Sequence, residues 1–194
     1  MPHSAPAPVV TPRLTLIPAT VTLAIAEGED FGKFFRMLEV HRLPDQWPPE
    51  CNDADKIASL RDRLIEHPEQ AGWWAWYWAI DQAAGAEDVT SDNIRIARTL
   101  VGNGGFTGPP NDAGEVEIGY SILPAFRRRG IATEGVNALC DWAARHGEAK
   151  MAIIDTLPEL VGSIGVAKKA GFVGPEPGPE EGVIRFRRHL SASP

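Results

Sequence analysis

The residues with the clearest chemical use lie where one periodicity gives way to another. Over residues 115–122, Val116, Ile118, Tyr120 and Ile122 alternate with Glu115, Glu117, Gly119 and Ser121, the pattern of a strand whose two faces differ. Pro124 stops it. From Ile131 onward Ala132, Val136, Leu139, Cys140 and Ala143 recur at helical spacing, and Gly147 stands where a C-terminal cap belongs. Between the two patterns sit Arg127, Arg128, Arg129 and Gly130. The first turn of a helix presents unpaired N–H groups and the positive end of its dipole, and a glycine lets a ligand approach the main chain. An anion suits such a junction, most naturally a phosphate. The common nucleotide signatures are absent: no G-x-x-x-x-G-K-[ST] occurs, and Gly102, Gly104, Gly105 and Gly108 do not make G-x-G-x-x-G.

The elements around this junction read in order along the chain. Residues 1–10, rich in Pro and Ala, are expected to form a disordered tail. Residues 11–18 give a short alternating strand, and a helix is expected from about Thr20 to Ala26. Residues 30–49 carry Phe31, Phe34, Phe35, Met37 and Leu38 without one period, then a rigid turn around Trp47. Asn52 or Asp53 caps a helix with the face Ala54, Ile57, Leu60, Leu64 and Ile65. Residues 72–80 form a strand apolar on both sides, with Trp74, Trp76 and Trp78 assigned to one face and Trp73, Ala75 and Tyr77 to the other. Residues 81–93 read as a polar loop, 94–102 as a strand and 104–114 as a long turn. After the central helix come a buried strand over 149–155, a helix opening at Pro158 and ending at Gly171, and a final strand pair over 172–174 and 183–189. This order predicts a single α/β (α+β) domain over 11–190, with a mixed central sheet, helices on both faces and a short tail at 191–194.

Composition narrows the function classes. A chain of 194 residues with 43% hydrophobic content can bury a sizeable core. Its net charge of -7 argues against a nucleic-acid binder held by phosphate contacts, and the tryptophan-rich strand lacks the basic interleaving of a base-stacking surface. Cys51 and Cys140 make no metal or redox spacing, and no apolar run is long enough to span a membrane. The expectation is a cytoplasmic protein, monomeric or homodimeric, with no metal, nucleic acid or membrane among its partners.

Arg127-x-x-Gly130-x-Ala132 resembles the [QR]-x-x-G-x-[GA] pyrophosphate loop of the GNAT superfamily of acetyl-CoA-dependent N-acetyltransferases. The Glu-Ile-Gly-Tyr of residues 117–120 sharpens the likeness, as does the order of elements. A second segment, Ser163 to Phe172, is similar to the S-x-x-V-x-x-K-x-G-F of the branch that includes the ribosomal-protein alanine and serine N-terminal acetyltransferases, and residues 11–16 are similar to its opening Thr-x-Arg-Leu-x-Leu. The resemblance implies that acetyl-CoA lies with its pyrophosphate on the main chain of Arg128, Arg129, Gly130, Ile131, Ala132 and Thr133. One of Arg127, Arg128 and Arg129 would reach the 3′-phosphate, and Ser121, Ile122 and Leu123 would pair with the pantetheine. It implies transfer of the acetyl group to a primary amine, on a protein N-terminus or a small molecule, with a backbone N–H near Leu123 holding the oxyanion.

Within that frame Glu117 is the candidate base, acting directly or through water, because it lies opposite the apolar set of its strand; Glu115 on the same face is the alternative. Ser163 matches the serine proposed to protonate coenzyme A in the branch, its other reading being a helix cap. Trp47 lies in the Trp-Pro-Pro loop that the branch places beside the acceptor, its other reading being loop packing. Acceptor choice is expected to rest on residues 31–50, the tryptophan-rich strand and the acidic loop 176–181. Two departures are visible: Ala167 stands where many relatives hold a tyrosine, and Leu160 where the branch has asparagine. They motivate a second reading, a non-catalytic module that keeps the fold and the coenzyme A cleft.

Overall fold

A computed structural model describes residues 5–83, 96–146 and 149–191. Its elements are β1 (Val9–Val10), β2 (Thr15–Pro18), α1 (Val21–Glu29), α2 (Phe31–Met37), β3 (Val40–Arg42), α3 (Ala54–Glu66), β4 (Ala75–Ala83), β5 (Ile96–Phe106), β6 (Glu115–Ile122), α4 (Ile131–Arg145), β7 (Met151–Thr156), α5 (Val161–Lys169), β8 (Val173–Pro177) and β9 (Ile184–His189). The strands make one mixed nine-stranded sheet in the order β1-β2-β4-β5-β6-β7-β9-β8, with β3 beside β5. The β6–β7 and β3–β5 pairs are parallel and the others antiparallel.

The helices start where short polar side chains can take their first free N–H groups. Thr20 accepts from the Leu23 N–H at 3.2 Å, Asp30 from Lys33 at 3.0 Å, and Asp53 from Lys56 at 3.0 Å. The central helix α4 differs: it begins at Gly130 in the left-handed region, φ 78°, with no side-chain cap.

Two apolar layers flank the sheet. On one face Trp76, Trp78, Val116, Ile118 and Ile122 pack with Val136, Leu139 and Trp142 of α4; on the other Tyr77, Ala79 and Leu100 pack with Leu23, Ala24, Phe34 and Leu64 from α1, α2 and α3. Trp76, Tyr77 and Trp78 are wholly buried, as a strand apolar on both sides requires. A Cβ on Gly135 would sit 2.4 Å from the Trp78 ring, so only glycine lets α4 lie this close to β4.

Several boundaries differ from the reading of the sequence. Val9 and Val10 pair with Leu16 and Thr15, so these two residues belong to the sheet rather than to a disordered tail. Trp74 packs in the α1–α3 layer and Trp73 against the α4 layer, the reverse of the expected faces, because β4 and its alternation begin only at Ala75. β5 continues through the glycines to Phe106, which shortens the expected turn. The aperiodic stretch after residue 30 resolves into α2 and β3. Gly147 and most of the expected loop over 81–93 lie outside the described residues. No helix among the described residues is long and apolar enough to cross a membrane.

Candidate active site

The sheet opens at its centre. β6 and β7 pair at Glu115 with Met151, Val116 with Ala152 and Glu117 with Ile153, and then part. Beyond Glu117, β6 pairs with β5 alone, while β7 follows β9 as far as Thr156. The Leu123 N–H bonds to the Val101 carbonyl at 2.9 Å and the Thr107 N–H to the Glu117 carbonyl at 3.1 Å. In an antiparallel ladder such bonds alternate along the strand, so the main-chain groups of Ile118, Tyr120 and Ile122 face the opening. Of the three residues expected to pair with the pantetheine, Ser121 and Leu123 therefore spend their main-chain groups on β5, and Ile122 faces the opening. The Ile122 carbonyl is taken by Arg127 Nε at 2.8 Å, which leaves the N–H groups of Tyr120 and Ile122 on the open edge.

This edge runs into the arginine turn and the N-terminus of α4. Arg128 has φ 62° and Gly130 φ 78°, a pair of left-handed residues that turns the chain into the helix. Ile131 is buried by its side chain, so it offers a ligand only its main chain. Arg127 turns back to the Ile122 carbonyl and pairs with Glu50 at 2.7 Å, which places it as a brace rather than a free cation. Arg129 lies over the Phe126 ring at 5.6 Å, and Arg128 is exposed. The turn is tied to the start of β2. Arg13 donates to the Arg129 carbonyl at 2.8 Å and to Glu134 at 2.6 Å, and Thr11 donates to the same carboxylate at 2.6 Å. Burial disfavours the charge on Glu134, but the bonds from Thr11 and Arg13 outweigh it and hold the carboxyl below its usual range.

The proposed acid and base residues sit along the opening. Tyr120 reaches across from β6 to α5, where its hydroxyl lies 3.2 Å from the Ser163 hydroxyl. Burial pushes the Tyr120 phenol up, with the bond to Ser163 opposing. Glu117 is half-buried; burial and the charge of Asp155 raise its carboxyl, and Arg185 opposes them. Glu115 is pinned by Asn111 and Arg187, whose bonds hold it below the usual range, which makes it the poorer proton acceptor of the two.

On the α1–α3 side a cleft of about 620 Å³ runs from Gly119, Tyr120 and Ser121 of β6 across the glycines of β5 to α3. Glu27 lines it. This carboxylate, 4% exposed, accepts from the Tyr77 hydroxyl at 2.7 Å and from the Trp47 indole at 2.9 Å. Burial raises it, against the pull of those two bonds. Trp47 itself does not line the cleft: its ring packs with Phe34, Phe35 and Tyr77, and it meets the cleft only through Glu27. Nor does the stretch 176–181 expected as an acidic loop, whose first two residues belong to β8 and whose Glu176 is bonded to Arg187.

Comparison with known proteins decides the family. A profile described as "Acetyltransferase (GNAT) domain" matches residues 13–173. The chain belongs to the GNAT acetyltransferase family. By class it is an acetyl-CoA-dependent N-acetyltransferase. It is 26% identical over 128 residues to "Uncharacterized N-acetyltransferase YjdG" of Bacillus subtilis (strain 168), covering 66% of this chain and 67% of that protein. In fold it is similar to RimL, a ribosomal L7/L12 alpha-N-protein acetyltransferase solved with coenzyme A, with a TM-score of 0.61, 19% identity, and 96% and 100% of the two chains covered. It is also similar to a putative ribosomal-protein-serine acetyltransferase from Vibrio cholerae, with a TM-score of 0.59, 19% identity, and 96% and 99% covered.

Within the GNAT frame one of the two departures has a plain structural role. Ala167 is wholly buried on α5 and fills core, while Leu160 precedes that helix, half-exposed, and makes no side-chain cap. A polar contribution next to Ser163 comes instead from Tyr120 on the neighbouring strand. Reading the sequence placed Tyr120 in the apolar set and passed over Glu27, which stands in a helix between Ala26 and Gly28 and looks like an ordinary surface acid. Among the described residues no three His, Cys, Asp or Glu side chains are grouped to hold a metal ion.

Proposed function

We propose that the chain moves the acetyl group of acetyl-CoA to a primary amine, on a protein N-terminus or a small molecule, by direct attack. The observation that carries this reading is the unpaired edge of β6 running into the left-handed start of α4. Amide N–H groups of Tyr120 and Ile122 stand ready to pair with an extended pantetheine arm, and the main chain of residues 128–133 meets its pyrophosphate at a helix N-terminus. Arg128 or Arg129 reaches the 3′-phosphate. RimL is by name an acetyltransferase of protein α-amino groups, which supports an amine as acceptor.

The chain's own residues divide the remaining work. The attacking amine must be neutral. An α-amino group, with a reference value of about 7.7–8.0, loses its proton far more readily than lysine at about 10.4. Glu117 takes that proton through water; its burial beside Asp155 brings the carboxyl closer to the amine's own range. A main-chain N–H on the open edge of β6 stabilises the oxyanion as the amine adds to the thioester carbonyl. Ser163, bonded to Tyr120, returns a proton to the departing thiolate.

Calorimetric titration with acetyl-CoA tests this, beside a Gly130→Glu variant whose fold is checked by circular dichroism. The wild type is expected to bind, and the folded variant to lose binding, because a side chain and a negative charge then stand where the pyrophosphate would lie. Absence of binding to the wild type overturns the reading.

A further inference from the structure

The cleft beside β6 is lined by charges of both signs, from α1 and from α3. From α1 comes a single carboxylate, Glu27, which is buried and held by Tyr77 and Trp47. A carboxylate has about four lone-pair directions, so two donors leave capacity for another. The α3 wall holds two cations, Lys56 and Arg63, two turns apart on one helical face with Leu60 between them. In a chain of net charge -7, neither has a carboxylate partner among the described residues. Lys56 donates to the Cys51 carbonyl at 2.7 Å, and the Arg63 guanidinium lies over the Trp74 ring at 4.7 Å. Trp74 adds a third donor: its indole N–H is buried without a hydrogen-bond partner. A buried N–H left unpaired is costly and rare, and its residue is among those lining the cleft, under the Arg63 guanidinium.

A purely cationic acceptor would meet repulsion along the whole α3 wall, and a neutral amine would leave Arg63 and the Trp74 N–H without an acceptor. We propose that the acceptor is zwitterionic: a small amine that also bears an oxyanion, held with its amine toward Glu27 and its anionic group on Arg63 and the Trp74 indole, with Lys56 adding to the field. The oxyanion is a carboxylate or a phosphate, since both accept from a guanidinium and an N–H. This inference rests on the acetyl-transfer reading and names the substrate class for that same site.

The test uses the full chain with acetyl-CoA and matched acceptors: α-amino acids against their amides, and amino-alcohol phosphates against the free amino alcohols. The two series separate carboxylate from phosphate. At least one anionic series is expected to exceed its neutral partners in kcat/KM about ten- to hundred-fold, the range for a hydrogen bond to a charged group. Arg63→Gln is expected to lower that anionic-to-neutral ratio by a similar factor, and Lys56→Gln by about two- to five-fold, as for a charge acting at a distance through partly aqueous surroundings. Both sites are exposed and glutamine suits a helix, so the variants should fold. A ratio near one in both series, an Arg63→Gln variant that keeps the ratio, or no turnover of any anionic acceptor by protein that binds acetyl-CoA would each overturn the inference while leaving the donor reading intact. Failure to bind acetyl-CoA would overturn both.

Discussion

Replacing Gly135 by alanine tests whether the contact between α4 and β4 sets the position of the central helix. A Cβ built there lies 2.4, 2.5 and 2.7 Å from three atoms of the Trp78 ring. Carbon atoms in contact prefer about 3.5–4.0 Å, so the helix or the ring must give by about an ångström. The ring has little room: Trp78 is fully buried and stacks on Tyr120 at 6.4 Å. Alanine in a helix interior is favoured over glycine by about 1 kcal/mol, which acts against the clash. Overpacking a tight core costs about 1–3 kcal/mol, occasionally more. Three atoms of a fully buried ring lie inside 3.0 Å, which puts the cost in the upper part of that range, about 2–3 kcal/mol, so the clash wins by about 1–2 kcal/mol. For a chain of this size that lowers Tm by about 2–8 °C. Gly165→Ala is the control: it lies inside α5 with no heavy atom within 4 Å of the added Cβ, so the same change should raise Tm. Differential scanning calorimetry of the ligand-free proteins reads both. A Gly135→Ala variant as stable as the parent, beside a stabilised Gly165→Ala, would refute the argument that this glycine admits α4 to β4.

Two further expectations concern protons. If the Ser163 hydroxyl protonates the departing thiolate, Ser163→Ala should lower kcat about 10²–10⁴-fold with KM for acetyl-CoA little changed. Tyr120→Phe should fall less, because it removes only the partner at 3.2 Å; a larger loss in Tyr120→Phe than in Ser163→Ala would move the acid to the tyrosine. Glu27 should shape the pH dependence of stability. Burial raises its carboxyl, so between the unfolded and folded values the native state keeps a proton that the unfolded chain has released. Stability contributed by this group is therefore present below the ordinary carboxylate range and falls as pH rises through the raised value. Glu27→Gln should flatten that decline in thermal melts taken from pH 4 to 8, and superimposable curves for parent and variant would contradict it.

What the sequence determined by itself is what short-range physics writes into a chain. Residues 115–145 could be read as strand, turn and helix because side-chain alternation, the stop at Pro124 and a glycine able to adopt positive φ are local properties, and the structure has β6 and α4 within those bounds. The helix start near Thr20 and a cap at Asn52 or Asp53 were legible for the same reason, and the structure makes Asp53 the cap. The apolar character of the tryptophan-rich strand was legible too, whereas the faces of Trp73 and Trp74 were not, since a strand pattern carries no mark of where pairing begins. Tertiary structure decided which polar groups meet. Glu27 and Tyr77 stand 50 residues apart in the chain, Tyr120 and Ser163 43, and Thr11 and Glu134 123, and nothing in the local pattern around any of them records the partner. Sheet register likewise decided that Leu123 gives its amide to Val101 while Ile122 faces the opening, because a shift of one residue exchanges the two edges of a strand.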